Sequence, residues 1–279
     1  MVAPTSNSEP TEPMRDRIQA RIARGDVPIP VLREVARRVI ELADDPNASA
    51  SELSALVHRD PALAAHVLRI VNSAAFAGQA SITSLQQAVA RLGMARLRDI
   101  AVAVSVSGAF KSRSHKTFLR KVWTRSLARA TWAREVARQG RRSVETAFVC
   151  GLLEDIGVPV ALQLAAEEEQ DTSEAWLEDW SGPLGLEVIE AWRLPGAVGA
   201  CIAYADDPDQ AGELAWDVWT VVLADALVAA TESRRPDFGP VRDHDAVVAL
   251  NLYPEDLDAL FERAERVMDA VRAMSGPRR

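Results

Sequence analysis

Apolar residues recur along this 279-residue chain at spacings of three and four, with no sustained spacing of two. That pattern predicts helices throughout. No alternation of β-branched residues and no Asn-Gly or Asp-Gly hairpin turn marks a strand. Helix punctuation supplies the boundaries. Pro30 opens a helix to about Asp44, with Val31, Val35, Val39 and Leu42 on one face. Ser49 and Glu52 form a capping box, and Asp60-Pro61 is an N-cap with an N1 proline opening a helix to about Asn72. Thr83 with Gln86 predicts another capped helix that stops at Gly93, followed by a mostly apolar one over Met94–Phe110. Lys116–Gln139 reads as one long basic helix. Short helices are predicted over Ser173–Trp180, Leu184–Trp192 and Pro195–Tyr204, a longer one over Pro208–Thr231, and a last one from Pro254 towards Ala273. There is no repeat of fixed period. The fold class is all-α, an irregular multi-helix bundle.

One stretch stands apart. Val144–Gly157, VETAFVCGLLEDIG, is capped by Ser143 and has apolar residues on every side (Ala147, Phe148, Val149, Cys150, Leu152, Leu153), which predicts a helix deep in the core. Its last turn carries Glu154 and Asp155, where carboxylates meet the negative end of the helix dipole. A cation, a cluster of donors or water must compensate them.

Composition narrows the classes. No run of about 18 apolar residues is read as a membrane span, and MVAPTSNSEPTE lacks the basic-then-apolar pattern of a signal peptide. Residues 1–24 are expected to be a disordered leader and a short helix. Cys150 and Cys201 lie in apolar surroundings, so a disulfide scaffold is not indicated and the cytoplasm is the expected compartment. The net charge of −8 conceals an asymmetry: residues 111–142 carry 11 Lys/Arg against one acid, and residues 143–279 carry 9 against 28. A basic helix lying against acidic ones explains this most simply. Lys121, Arg125 and Arg129 share one side of that helix at i, i+4 and i+8 and form a candidate anion site, with Arg134 and Arg138 a second, offset pair. The acidic half would repel a polyanion, and no dedicated helix-turn-helix accompanies the belt, which argues against nucleic acid. Trp176, Trp180 and Trp192 are expected in the core; exposed together, they would mark a protein–protein surface.

Several ordered motifs now combine: Asp60-Pro61-Ala62-Leu63, Leu68 to Asn72-Ser73, Ser84 to Leu92-Gly93, Leu97-Arg98, Trp123-Thr124-Arg125-Ser126-Leu127-Ala128 and Gly151-Leu152-Leu153-Glu154-Asp155-Ile156-Gly157. Over about residues 25–230 they resemble the HDOD domain, a bacterial signalling relative of the HD hydrolases. The resemblance implies an HD-domain-like fold with a helical part over 25–110, an HD-like part over 111–230 and a helical extension over 231–279. Asn72, Ser73 and Gly93 belong to its motifs. Asn72 is expected to bond the backbone of the following turn, eased by Gly78, and Gly93 to end a helix.

HD hydrolases hold a divalent cation with a first His, a His-Asp pair and a later Asp, and use it to activate water. By that resemblance these positions fall on Arg125, Glu154-Asp155 and Asp225. Two of the four have lost their histidine. Arginine keeps its charge and has no lone pair for a metal, so Arg125 is expected to pair with at least one of the acids where relatives keep an ion. His58, His66, His115 and His244 form no helical metal pair. Neither Cys has a histidine in its segment, and no phosphate-cradling glycine loop exists. The expectation is a non-catalytic regulator without cofactor or metal, acting through an unknown protein partner or a small signal. The alternatives are a divergent metal-dependent phosphohydrolase using Glu154, Asp155 and Asp225, or a cyclic-dinucleotide-binding module.

Overall fold

The computed structural model describes residues 12–32, 34–44, 49–73, 82–110, 114–168, 173–232 and 236–275, and every regular element among them is helical. Expectations that fall on residues 1–11 and on Gly78 lie outside the described residues. The N-terminal helices are α1 (Glu12–Ala23), α2 (Glu34–Asp44), α3 (Ala50–His58), α4 (Pro61–Val71), α5 (Leu85–Leu92) and α6 (Met94–Val106). Ser49 and Glu52 close the capping box of α3, and the Asp60 side chain accepts from the amides of Ala62 and Leu63 at the head of α4. The box on α5 is one residue later than expected: Ser84 and Gln87 close it, and Thr83 donates its amide to Gln87. Helix α2 begins after Pro30, at Glu34, and α6 stops four residues before Phe110.

Next comes α7 (Lys116–Gln139), the longest helix, with the bounds its sequence predicts. Buried α8 (Val144–Leu153), α9 (Gly157–Glu167) and α10 (Glu174–Trp192) follow. Two short helices were expected where α10 runs unbroken through Pro183. Trp176, Trp180, Leu184, Val188 and Trp192 recur every four residues, and all five are buried. A continuous buried stripe of this length offsets the backbone hydrogen bond that an interior proline removes. It also places all three tryptophans in the core and excludes them as an exposed docking surface.

The chain continues through α11 (Gly196–Ala203), a 3-10 turn (Pro208–Leu214), α12 (Ala215–Glu232), α13 (Gly239–Arg242), α14 (Asp245–Ala249), α15 (Pro254–Phe261) and α16 (Ala264–Ser275). The single C-terminal helix expected from Pro254 is therefore two. One contiguous core runs from Ile18 on α1 to Met274 on α16. Helix α7 lies at its centre and packs against α8, α12, α15 and α16. Contrary to the sequence expectation, two helical runs, Val144–Glu167 and Pro208–Glu232, are long and apolar enough to cross a bilayer by composition, but they are 83% and 50% buried inside the bundle. Neither cysteine forms a disulfide, and both are buried.

Two glycines set how closely the central helices approach. A Cβ on Gly151 of α8 would lie 3.0 Å from the backbone of Arg129 and Ala130 on α7. A Cβ on Gly157 would lie 1.8 Å from the Ser181 carbonyl oxygen on α10. Gly157→Ala is therefore expected to lower stability by about 3 kcal/mol, the upper end of overpacking costs. Gly199→Ala on α11, whose Cβ would meet only ordinary contacts at 3.7 and 3.8 Å, should be neutral or stabilising by up to about 1 kcal/mol. Urea unfolding of the two variants beside the parent protein checks both.

Candidate functional site

Helix α8 ends in a tight turn, Glu154-Asp155-Ile156, before α9 starts at Gly157. The close contact at Gly151 fixes the height of this turn against α7, and α12 packs across both helices. Three carboxylates from two separate stretches thereby face α7: Glu154 and Asp155 from the turn, and Asp225 from α12.

The guanidinium among them is that of Arg129, one turn beyond the residue the sequence singled out. Its side chain is only 4% exposed. Nη1 contacts Glu154 and donates to Asp155 Oδ2 at 2.8 Å, and Nε lies 2.9 Å from Asp225 Oδ2. Arg125 sits at the mouth, 46% exposed, with Nη2 3.5 Å from Asp225 and Nη1 3.6 Å from Glu232. It pairs with one of the three acids as expected, but from outside. The reason is geometric: at one turn per four residues, α7 reaches the depth of Glu154 at Arg129, where Gly151 lets the two backbones meet. Ser126, buried on the same face and part of the family motif but given no role in the sequence reading, places its Oγ 3.3 Å from Asp155 Oδ2. The signal for Arg129 lay in the i, i+4, i+8 stripe; nothing local marked Glu232, which arrives from the far end of α12.

The expected anion trio does not form one surface. Arg129 is buried and committed to three acids, so it has no charge to offer an incoming anion. Lys121 is exposed and has no ion-pair partner among the described residues. Asn72 donates to the Leu68 and Ile82 carbonyls and accepts from the Ile82 amide, and so ties the end of α4 to the approach of α5. Ser73 follows it in the turn. Gly93, at φ +80°, is the junction between α5 and α6, a backbone conformation that L side chains rarely adopt. His244 accepts from the Ala246 amide and caps α14.

Charge balance decides the protonation of this cluster. Burial disfavours the Arg129 charge, but Asp155, Glu154 and Asp225 more than offset it and hold the guanidinium firmly protonated, above the ordinary arginine range. The three carboxylates exceed the one buried cation. Glu154 bears the excess: burial, with the charges of Asp155 and Asp225, outweighs Arg129 and pushes its carboxyl up to about 8.

The sequence matches the HDOD domain family over residues 29–208, and the chain belongs to that family. Its fold is similar to the crystal structure of an HDOD domain protein from Geobacter sulfurreducens (TM-score 0.68, 20% identity, covering 91% of this chain and 98% of that one). It is also similar to a Shewanella amazonensis SB2B structure provisionally assigned as a metal-dependent phosphohydrolase (TM-score 0.69, 20% identity, 92% and 97% covered). An uncharacterized protein of Treponema pallidum (strain Nichols) is 24% identical over 189 residues, 67% of this chain. That match spans 36% of the relative's own length.

A folded-state pKa raised from 4.5 to about 8 means that the native protein holds a proton the unfolded chain releases. Stability from Glu154 is present in full below about pH 4.5 and is lost as pH rises through about 8. The thermal midpoint, followed from pH 5 to 9, should fall with pH in the parent protein and fall much less in Glu154→Gln.

Proposed function

We propose that this chain is a non-catalytic regulator of the HDOD type, whose former metal hollow serves as a structural ion-pair hub and whose output is the binding of a partner protein. One observation carries this reading: the buried Arg129 guanidinium stands between Glu154, Asp155 and Asp225, where the resemblance to HD hydrolases places a divalent ion. The residues do not fit that ion. No histidine supplies a neutral nitrogen, and the carboxylates already face a permanent cation that cannot be deprotonated or coordinate a metal. A divalent cation entering beside Arg129 would meet a like charge in a desolvated space. Nothing then generates the metal-bound hydroxide that phosphate-ester cleavage of this type requires.

A cytoplasmic, membrane-free setting belongs to the same reading, supported by two buried cysteines outside any disulfide and by apolar helical runs that pack inside the bundle. Its regulatory character draws on membership of the HDOD family; fold likeness to a phosphohydrolase structure at 20% identity carries the fold alone.

Calorimetry and turnover assays test the reading together. The parent protein should show neither stoichiometric binding of manganese, iron or magnesium nor cleavage of a generic phosphodiester or a cyclic dinucleotide. Arg129→Ala should lose about 3–5 kcal/mol of stability at neutral pH, because the partly buried acid cluster of Glu154, Asp155 and Asp225 loses its cation, and should regain part of it on adding manganese. Metal-dependent turnover by the parent protein that vanishes in Asp155→Asn would overturn the proposal.

A further inference from the structure

The opposite flank of α7 holds a second arginine cluster, and here the balance of charge is reversed. Glu135, with only 3% of its side chain exposed, is approached by three guanidiniums from three segments. Arg138 donates to it from the next turn of α7, Arg263 Nη1 donates at 3.0 Å from the start of α16, and Arg96 Nη2 reaches it at 3.4 Å from α6. Arg266 lies close enough to disfavour the charge on Arg96. Three guanidiniums thus converge on one carboxylate. Arg263 Nη2 also donates to Gln139 Oε1 at 3.3 Å, and exposed Arg266 stands one turn along from Arg263. Glu262 and Glu265, the acids adjacent to Arg263 and Arg266 in sequence, are exposed and make no ion pair with the cluster among the described residues.

Beneath it, Arg134 is 4% exposed and pairs with Asp99 through Nη1, and its Nε has no hydrogen-bond acceptor. Arg134 and Arg96 line the same small void, which also touches Asp99, Thr131 and Met274. The buried side of the cluster is therefore short of acceptors as well. The Arg96 charge is disfavoured first by burial and then by repulsion from Arg138 and Arg266, with Glu135 alone opposing these. In a protein of net charge −8, such concentrated and unrelieved positive charge has a ready use. Guanidiniums present planar paired donors that match phosphate oxygens, and a multiply charged oxyanion relieves the repulsion that one carboxylate leaves standing.

We propose that Arg96, Arg138, Arg263 and Arg266 form a binding site for a multiply charged phosphoryl group, such as the pyrophosphate moiety of a small ligand. Its partially exposed members are Arg96, Arg138 and Arg263, with side chains 24%, 40% and 25% exposed, so the anion approaches from solvent and Glu135 fixes the arginines from below. The site is separate from the Arg129 hub. It stands whether or not that hub binds metal.

Titration calorimetry at low salt, with inorganic pyrophosphate in one arm and guanosine triphosphate in the other, tests the site on the full chain. Saturable one-to-one binding is expected, weakened at least tenfold in Arg138→Gln/Arg266→Gln. The charge-matched control Lys116→Gln/Lys121→Gln, about 25–33 Å from Arg138 along α7 by helix rise, should keep the parent affinity. Equal affinity in the two arms means the phosphates alone are recognised, and tighter triphosphate binding means the site extends beyond them. Should the double variant fail to fold, Arg266→Gln alone, at an exposed position, should still weaken binding about threefold. Absence of saturable binding, or equal weakening in the control, would overturn the proposal.

Discussion

The structure depends on a single buried cation. Arg129 joins α7, the α8–α9 turn and α12 at one point, and those three stretches are far apart in sequence. Desolvating a guanidinium is costly, and desolvating three carboxylates without it would cost far more. The arrangement is therefore mutually conditional: the acids can be this close only because the arginine is there, and the arginine can be buried only because the acids are. Its weak point is stoichiometric. Three acids outnumber the buried cation, and the surplus is carried by Glu154, whose carboxyl is pushed up to about 8. Solvent-facing Arg125 compensates only Asp225 and Glu232, at longer range.

In HD hydrolases a divalent ion satisfies the carboxylates at the positions that the resemblance maps onto Asp155 and Asp225; here the Arg129 guanidinium contacts both. A side-chain cation in place of an ion meets the electrostatic requirement of such acids but supplies no coordination chemistry. Under the proposed reading, an HD-like bundle keeps its electrostatic balance without a metal ion. This also makes the hub independent of metal supply, as suits a protein whose proposed role is to be recognised.

Helix α7 accounts for the charge asymmetry along the sequence. Its basic residues do not form one polyanion-binding face. Arg125 and Arg129 turn towards the acids of α8 and α12, and Arg134 towards Asp99 on α6. Arg138 joins Arg96 and Arg263 around Glu135, the one acid in that basic stretch. The first group is short of positive charge and the second has an excess. One helix therefore carries two sites of opposite need, on two sides of its axis.

Much of this was legible in the chain itself. Capping boxes, N1 prolines and apolar periodicity determine the helices, because they are local interactions within about one turn; the ends of α7 and the head of α8 follow directly. The family motifs named three of the carboxylates. Tertiary packing decided the rest. Pro183 stays within α10 because a stripe of buried residues holds the helix together on both sides. Arg129 replaces Arg125 at the hub because depth along a helix depends on where a neighbour touches it, and that contact is a glycine against backbone. Side chains i and i+4 are equivalent on an isolated helix; only the angle and height of the helix packed against it distinguish them, and no stretch of sequence encodes those alone.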